Sequence, residues 1–240
     1  MKDYLQLDGL VYKLVPIKTP IDPNNPYQMG RIETDVMYDI VMKWDWGNSD
    51  SPDIYHDPET RKNSISFRSN ITRLAKTLID EGQKEKAITV LDLAMEKMPI
   101  ESFGYYSLVV PIAAAYYRAG ALDKAQKIVT TIASGYEEYM RYYAQWNRDE
   151  QLMLMEDIVG NVERYKSLLT EIVEAKDHKS MTALYDSFFE SIIPFSYIYG
   201  EYDFYTELTP FVAALYDSDQ VEFARELSTE IAQQYIDLLN

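Results

Sequence analysis

From Ser64 onward, apolar residues recur at the three- and four-residue spacing of helices, and two stretches carry them in one frame. In each stretch, apolar and small residues precede a glycine and further small or apolar residues follow it. The second stretch repeats the first 38 residues later. The frame comprises Leu74, Ala75, Leu78, Gly82, Ala87, Ala94 and Pro99, and it recurs as Ile112, Ala113, Tyr116, Gly120, Ala125 and Ile132.

This frame is typical of a tetratricopeptide helical hairpin. Small residues let the two helices approach closely, the glycine permits a tight turn, and a proline ends the second helix. We therefore predict an all-α fold over residues 61–240: a tetratricopeptide-like, right-handed superhelical array of about eight helices in antiparallel pairs. The predicted breaks lie at Gly82, 99–104, Gly120, 147–149, Asp177, Gly200 and 217–219.

A third copy of the frame lies near the end of the chain. Pro111 and the apolar residues after it, fourteen residues before Ala125, resemble Pro210 and its followers, fourteen before Ala224. Asp219 stands where the other copies have the turn glycine. Repeats are therefore predicted near 68–101, 106–139 and 205–239. Between them, 150–200 is expected to form two longer helices, 151–175 and 179–199, that have lost the frame, as in elaborated repeat arrays.

Residues 1–60 hold six of the ten prolines and are predicted to be extended and partly irregular. Leu10–Val15 alternates in polarity and follows Asp8-Gly9, which indicates a short strand or β-hairpin before the loop at 23–26. One short helix is predicted over Ile32–Trp44. Its expected caps are Thr34 or Asp35 at the start, and Gly47 with Asn48 at the end.

Charge is unevenly distributed along this acidic chain. The net charge is −16, with −6 in residues 1–60, +3 in 61–149 and −13 in 150–240. Nucleic acid would be repelled over most of the surface, so we exclude it as a partner. The chain has no cysteine, which excludes disulfides, thiolate metal sites and a cysteine nucleophile. No apolar run approaches the ~18 residues of a membrane span.

A helical array usually binds a peptide or partner helix in its concave groove, which the first helix of each pair lines. Cations at these positions form a candidate basic strip that would receive carboxylates of a protein partner, because guanidinium groups pair well with them. The alternative is that these cations pair with acidic helices of the same chain, above all with its last ninety residues. The candidate partner-binding residues are Arg68, Arg73, Lys76, Tyr117 and Arg118.

The chain is rich in aromatic residues, with 21 tyrosines and three tryptophans. Aromatic rings beside carboxylates and amides form sugar-binding platforms, and one segment, Trp44-Asp45-Trp46-Gly47-Asn48, has these residue types. The alternative is ordinary packing between helices. The candidate glycan-binding residues are Trp44, Asp45, Trp46 and Asn48.

No arrangement of residues indicates catalysis, a metal or a cofactor. Five carboxylate or amide residues crowd 45–57, but their spacing does not fit a calcium-binding loop. The only histidines, His56 and His178, are too few for a zinc site or a histidine-based triad. Phosphate-binding glycine motifs are absent. The sequence therefore predicts a protein that is not an enzyme and needs no cofactor.

The opening segment resembles the soluble C-terminal region of a bacterial membrane-protein family of unknown function. That family has a multi-pass N-terminal region related to protein O-mannosyltransferases and other lipid-linked-sugar glycosyltransferases, followed by tetratricopeptide-like repeats. The resemblance covers roughly residues 4–145. It is carried by Tyr4-Leu5-Gln6-x-Asp8-Gly9-Leu10-x-Tyr12-x-Leu14-Val15-Pro16, by Gly30-Arg31-Ile32-x-Thr34-Asp35-x-Met37-Tyr38-Asp39, and by Trp44-x-Trp46-Gly47.

The resemblance implies a periplasmic domain attached to the membrane only through a region absent from this chain. The family's catalytic residues belong to that missing region, so none transfers here. We therefore expect a non-catalytic interaction domain that binds or positions a protein partner or acceptor. A carbohydrate-binding module that holds a glycan or glycoprotein acceptor is the alternative. A stand-alone cytoplasmic enzyme is a third hypothesis.

Overall fold

The structure is a computed structural model that describes residues 1–21, 29–199, 209–217 and 219–239. The chain divides into two compact units, Met1–Ala125 and Gln126–Asn240, so the boundary predicted at residue 60 falls inside the first unit. The α-helices in the described residues are α1 (Thr34–Val41), α2 (Pro58–Asp80), α3 (Lys84–Lys97), α4 (Ile100–Phe103), α5 (Val110–Ala119), α6 (Leu122–Tyr143), α7 (Arg148–Met153), α8 (Met155–Glu174), α9 (His178–Ile192), α10 (Ser196–Tyr199), α11 (Thr209–Asp217) and α12 (Val221–Leu239).

Helices dominate both units, which confirms the predicted all-α class. Short 3-10 helices occur at Lys2–Tyr4, Tyr106–Leu108 and Ile193–Phe195. None of the helices among the described residues is long and apolar enough to cross a membrane. The right-handed superhelical winding stays a prediction.

The predicted β-hairpin is present at the N-terminus. Strand β1 (Leu5–Asp8) pairs antiparallel with β2 (Val11–Leu14), and the turn passes through Gly9. A third strand, β3 (Arg31–Ile32), pairs parallel with β1 on its other side and was not predicted. Leu7 is fully buried, and the sheet packs against α1 and α2. The sheet therefore belongs to the hydrophobic core of the first unit.

The frame residues of the two repeats form much of that core. Leu74, Ala75 and Leu78 of α2 are fully buried, as are Ala87 and Ala94 of α3. Helix α2 packs on both α3 and α5. The frame therefore marks the residues that the helices bury against one another, as its spacing predicts.

Four interhelical turns share one backbone geometry. In each, a residue with positive φ follows the first helix, and the next residue donates its N–H to a carbonyl five positions earlier, as in a Schellman motif. These donor–acceptor pairs are Gln83 to Leu78 (2.8 Å), Ala121 to Tyr116 (2.9 Å), Asp177 to Ile172 (3.2 Å) and Gln220 to Leu215 (2.9 Å). The positive-φ residues are Gly82 (78°), Gly120 (86°), Lys176 (58°) and Asp219 (60°).

Asp219 therefore takes the role of the turn glycine, as predicted. The prediction that the frame is lost throughout 150–200 is wrong at the α8–α9 turn, where Lys176 adopts the same conformation. The residue five positions after it, Met181, is buried like Ala87 and Ala125. This copy was not recognised in the sequence because Lys176 stands in place of the turn glycine and Met181 in place of the small residue of the frame.

Several predicted element boundaries also need correction. Glu33 is the N-cap of α1, whereas Thr34 lies inside the helix and donates its hydroxyl to Glu81. Helix α1 ends at Val41, before Gly47. Residues 100–103 form the helix α4 rather than a simple break, and the helix predicted over 151–175 is divided at Leu154. The predicted features at 23–26, Gly200 and 205–208 lie outside the described residues.

The second unit has an aromatic core. Helix α8 packs on α9 and α11, and α11 packs on α12. Tyr165 of α8 contacts Phe188 of α9, with ring centroids 5.0 Å apart, and Phe188 contacts Phe211 of α11 at 5.7 Å. Burial raises the pKa of the Tyr165 hydroxyl, which donates a hydrogen bond to Glu137. Among the described residues, the tyrosines buried in the core are Tyr116, Tyr136, Tyr143, Tyr165 and Tyr185.

Candidate functional site

A pocket of about 320 Å³ lies in the first unit, where the Trp44–Trp46 turn meets helix α2. Its volume is at the lower end of the ~300–1,000 Å³ range of small-molecule sites. It combines an aromatic wall with polar side chains. The lining residues are Leu10, Trp44, Asp45, Trp46, Ser49, His56, Thr60, Asn63, Ser64, Phe67, Met98 and Phe103.

Three rings form the aromatic wall. The Trp44 and Trp46 ring centroids lie 5.4 Å apart, and each lies 5.2–5.3 Å from that of Phe67. The rings meet edge to face or tilted, which is the favoured geometry for aromatic pairs. The three rings are therefore packed together as an aromatic wall on one side of the pocket.

The hairpin turn fixes the position of Trp44. Gly9 has a φ of 67°, and a Cβ atom added to it would lie 2.9 Å from Cζ2 of Trp44 and 3.1 Å from Cγ2 of Ile40. Asn70 of α2 donates its side-chain amide to the Gly9 carbonyl at 2.9 Å. The hairpin, the end of α1 and the middle of α2 therefore meet behind the indole.

The loop after the tryptophans is fastened to α3. Ser49 donates its hydroxyl to the Lys97 carbonyl at 2.8 Å, and Lys97 pairs with Asp50 at 3.1 Å. His56 donates Nε2–H to the Ser49 carbonyl at 3.0 Å, because a carbonyl only accepts. Its ring lies 4.3 Å from that of Phe103. These contacts hold in place the loop that supplies Ser49 and His56 to the pocket.

Arg68 is buried and does not lie on the surface. Its side chain is fully buried, and it donates hydrogen bonds to the carbonyls of Gly104 at 2.6 Å and Met98 at 2.8 Å. Burial lowers the pKa of this guanidinium to about 10, so it stays charged at neutral pH. The prediction that Arg68 contributes to an exposed basic strip is therefore wrong. Its role is to hold the 98–104 turn, which supplies Met98 and Phe103 to the pocket.

The other members of the predicted strip are largely engaged within the first unit. Arg73 donates to the Tyr12 hydroxyl and to the carbonyls of Met29 and Gly30, so it ties α2 to the N-terminal segment. Arg118 pairs with Asp80 at 2.5 Å. Tyr117 is half-buried, and so is Lys76, which makes no ion pair within the part of the chain that the structure describes. The alternative of pairing in cis therefore holds for Arg118, although its partner is not in the last ninety residues.

The predicted glycan-binding residues are brought together with one exception. Trp44, Asp45 and Trp46 all line the pocket, and Trp44 and Trp46 are half-buried. Asn48 is exposed and is not among the lining residues. One oxygen of Asp45 accepts the Gly47 backbone N–H at 2.9 Å, which leaves Oδ2 without a partner among the described residues.

Polar groups of α2 face the aromatic wall. The Asn63 amide has no hydrogen-bond partner within the described ranges and is exposed. The Thr60 hydroxyl donates to Asp57, so its lone pairs can still accept. The twelve lining residues include one carboxylate and no lysine or arginine. The site thus offers donors and acceptors around an apolar wall, with no lysine or arginine among its lining residues to pair with an anion.

Sequence reasoning missed the contribution of helix α2. Its pocket residues Thr60, Asn63, Ser64 and Phe67 fall at positions i, i+3, i+4 and i+7, which share one face of a helix. That spacing was readable from the sequence, but its meeting with Trp44 and Trp46 was not. Among the described residues, no group of three or more histidines and carboxylates is placed to hold a metal ion.

Comparison of the sequence with protein-family models gives no match, and neither curated proteins nor solved structures give a significant one.

Proposed function

We propose that this chain is a non-catalytic helical binding domain whose aromatic pocket holds a sugar residue of a neutral glycan. The observation that carries the proposal is the contact of Trp44, Trp46 and Phe67 as one wall of a pocket with polar groups on its rim. This arrangement favours the carbohydrate-binding alternative over the basic strip as the principal site.

The chemistry of a sugar ring matches both parts of the pocket. A pyranose has an apolar face of C–H groups, which packs on an aromatic ring, and hydroxyl groups at its edge, which need donors and acceptors. The free oxygen of Asp45 and the Asn63 amide supply such partners.

The charge of the residues that line the pocket limits which class of glycan we expect to bind. Uronic acids, sialic acids and sulfated sugars usually require arginine or lysine, because a buried anion is costly without a partner. The lining has none, and Asp45 adds a negative charge. Neutral sugars are therefore the expected ligands.

The resemblance of the N-terminal segment to a glycosyltransferase-like membrane family supports the same proposal. A domain of that kind would face the periplasm and meet envelope glycans or glycoprotein acceptors. Under this proposal, the domain holds an acceptor near an enzyme and performs no chemistry itself. The tetratricopeptide-like character of the helix pairs is part of this proposal and is supported by the shared turn geometry.

Intrinsic fluorescence tests whether and what the pocket binds. Trp146 is the one tryptophan outside the pocket, so a Trp146→Phe variant leaves emission from Trp44 and Trp46 alone. We expect at least one of mannotriose, maltotriose and chitotriose to shift this emission in a saturable way, whereas trigalacturonate should not. Unchanged emission with all three neutral sugars, or a response to trigalacturonate alone, would contradict the proposal.

A further inference from the structure

A second surface, in the unit Gln126–Asn240, exposes an unusual number of apolar side chains. Six of the eight large apolar residues that are exposed among the described residues of this unit fall between 139 and 155. Met153 is the most exposed of them, at 86%. We call this set the 139–155 surface: Tyr139, Tyr142, Trp146, Leu152, Met153 and Met155.

The end of α6 presents the aromatic part of this surface. Tyr139, Tyr142 and Trp146 are spaced three and four residues apart, so they follow one face of the helix and its terminal turn. The Tyr142 and Trp146 rings are in contact, with centroids 5.8 Å apart. They stay exposed although the unit has a well-packed aromatic core elsewhere.

The apolar part lies at the junction of α7 and α8, which is tied to α6. The buried Gln151 donates its amide to the carbonyls of Tyr143 at 3.1 Å and Trp146 at 2.9 Å. Helix α7 then ends at Met153, and the chain bends at Leu154. Leu152, Met153 and Met155 are therefore held on an ordered junction and not on a loose loop.

A separate polar cleft of about 310 Å³ lies beside the same stretch of α6, but Glu137, Met140 and Arg141 face the side of the helix away from Tyr139 and Tyr142. It contains carboxylates from two helices, Glu137 of α6 and Glu190 of α9, with Ser187 and Ser191 beside them. Among the described lining residues, Arg141 is the one cation. Glu137 is held by the Tyr165 hydroxyl at 2.9 Å, which fixes the carboxylate at the cleft. The cleft is therefore separate from the 139–155 surface, where the exposed carboxylates close by in the sequence include Glu138, Asp149 and Glu156.

Charge identifies the partner. Residues 137–157 contain six acidic and two basic residues, and the whole second unit contains 21 acidic and 8 basic residues, a net charge of −13. From this charge and the exposed apolar side chains, we propose that the 139–155 surface docks a basic amphipathic helix of a protein partner. Methionine-rich and aromatic surfaces bind the apolar face of such helices, while acidic groups select the basic face.

A lipid surface is the less favourable occupant. Biological membranes carry negative surface charge, which repels a surface with this excess of carboxylates. A basic helix instead gains charge complementarity, which also speeds its association. The proposal concerns a different unit from the sugar pocket and does not depend on it.

The test uses fluorescence anisotropy with defined peptides and the full chain. The probe is a labelled helical peptide of about 18 residues, or five turns, with leucine on one face and lysine on the other. A matched leucine–glutamate peptide tests the sign of the charge, and neutral phosphatidylcholine vesicles test lipid binding. We expect binding of the lysine peptide that weakens as salt rises, and no binding of the other two probes.

Variants locate the binding surface. Tyr142→Ser combined with Met153→Ser should weaken binding of the lysine peptide by about tenfold or more. Glu138→Gln combined with Glu156→Gln, which removes two exposed carboxylates of the same stretch, should also weaken binding and flatten its salt dependence. Tyr55→Ser combined with Tyr216→Ser removes two exposed rings elsewhere and should change nothing. Equal binding of the glutamate peptide, binding to vesicles in its place, or wild-type affinity in the Tyr142/Met153 variant would overturn the proposal.

Discussion

At the residue scale, the four interhelical turns show that different amino acids adopt the same positive-φ conformation. Gly82 and Gly120 adopt positive φ without a steric penalty, whereas Lys176 and Asp219 carry a Cβ atom in the same region. A short polar side chain such as that of Asp219 tolerates this region better than a long one. Lys176 is therefore the most strained of the four.

Replacing Lys176 with glycine should stabilise the protein. Removing the left-handed strain exceeds the entropic cost of glycine at a helix C-terminus, so we expect a gain of about 0.5–1 kcal/mol in the free energy of unfolding. Urea denaturation measures it. Lys176→Ala removes the same charge and keeps the Cβ atom, so it should give no gain. A gain of equal size in both variants would show that charge and not backbone strain is responsible.

Glu230 should make stability depend on pH. Burial, and then the charge and hydrogen bond of Asp186, raise the pKa of the Glu230 carboxyl in the folded state. A raised carboxyl pKa means that the folded state binds the proton more tightly, so stability is highest below the unfolded pKa, about 4.5, and falls as pH rises through the folded pKa.

Glu230→Gln should therefore melt at a higher temperature than the wild type at pH 7, and the difference should disappear near pH ~4, where the carboxyl is protonated in both states. Glu226→Gln, one turn earlier on α12, is the control for net charge. A difference that persists at low pH, or an equal effect of the control, would exclude the Asp186 contact as the cause.

At the element scale, the sequence predicts elements whose signals are local. The hairpin at Asp8-Gly9 and the turns at Gly82 and Gly120 were predicted because each depends on a glycine within a recognisable pattern. Strand β3 was not, since it is two residues long and pairs with a strand 25 residues earlier. The α8–α9 turn was missed because Lys176, and not a glycine, adopts the positive φ there. Its conformation depends on tertiary packing, which the local sequence does not show.

The same distinction explains the candidate site. Trp44, Asp45 and Trp46 form one short segment, so their residue types were sufficient to identify them. Arg68 was assigned to the basic strip because of its predicted position on the groove side of its helix, yet it is buried and donates to two backbone carbonyls 30 and 36 residues away. These hydrogen bonds depend on the tertiary fold, so the residues next to Arg68 in the sequence do not predict them.

Gly9 should be essential because the hairpin presses on the indole of Trp44. Gly9→Ala adds left-handed strain of about 1–2 kcal/mol and also a Cβ atom 2.9 Å from the Trp44 ring. Gly47→Ala is the matched control, since its φ is 55° and nothing lies within 4 Å of the added atom. We expect the Gly9 variant to be the less stable in urea and to shift Trp44 emission. Equal losses in the two variants would show that the contact is unimportant.

At the scale of the whole molecule, the two units differ in charge and in the surfaces they offer. The first unit has a net charge of −3, and Lys86, Lys97, Arg118 and Lys124 all pair with carboxylates of that unit. The second carries a net charge of −13. The two proposed ligands differ accordingly: a neutral sugar for the near-neutral unit with the aromatic pocket, and a basic helix for the acidic unit with the exposed apolar residues.

The most direct test of the sugar-binding account is isothermal titration calorimetry with the neutral trisaccharide that most shifts the tryptophan emission. Trp44→Ala should weaken binding by about tenfold or more, because the apolar face of the sugar loses its wall. Asn63→Ala, which removes an exposed rim amide without affecting the core, should weaken it less. Trp146→Ala should leave the affinity unchanged. Wild-type affinity in both pocket variants, or an equal loss in Trp146→Ala, would contradict the account.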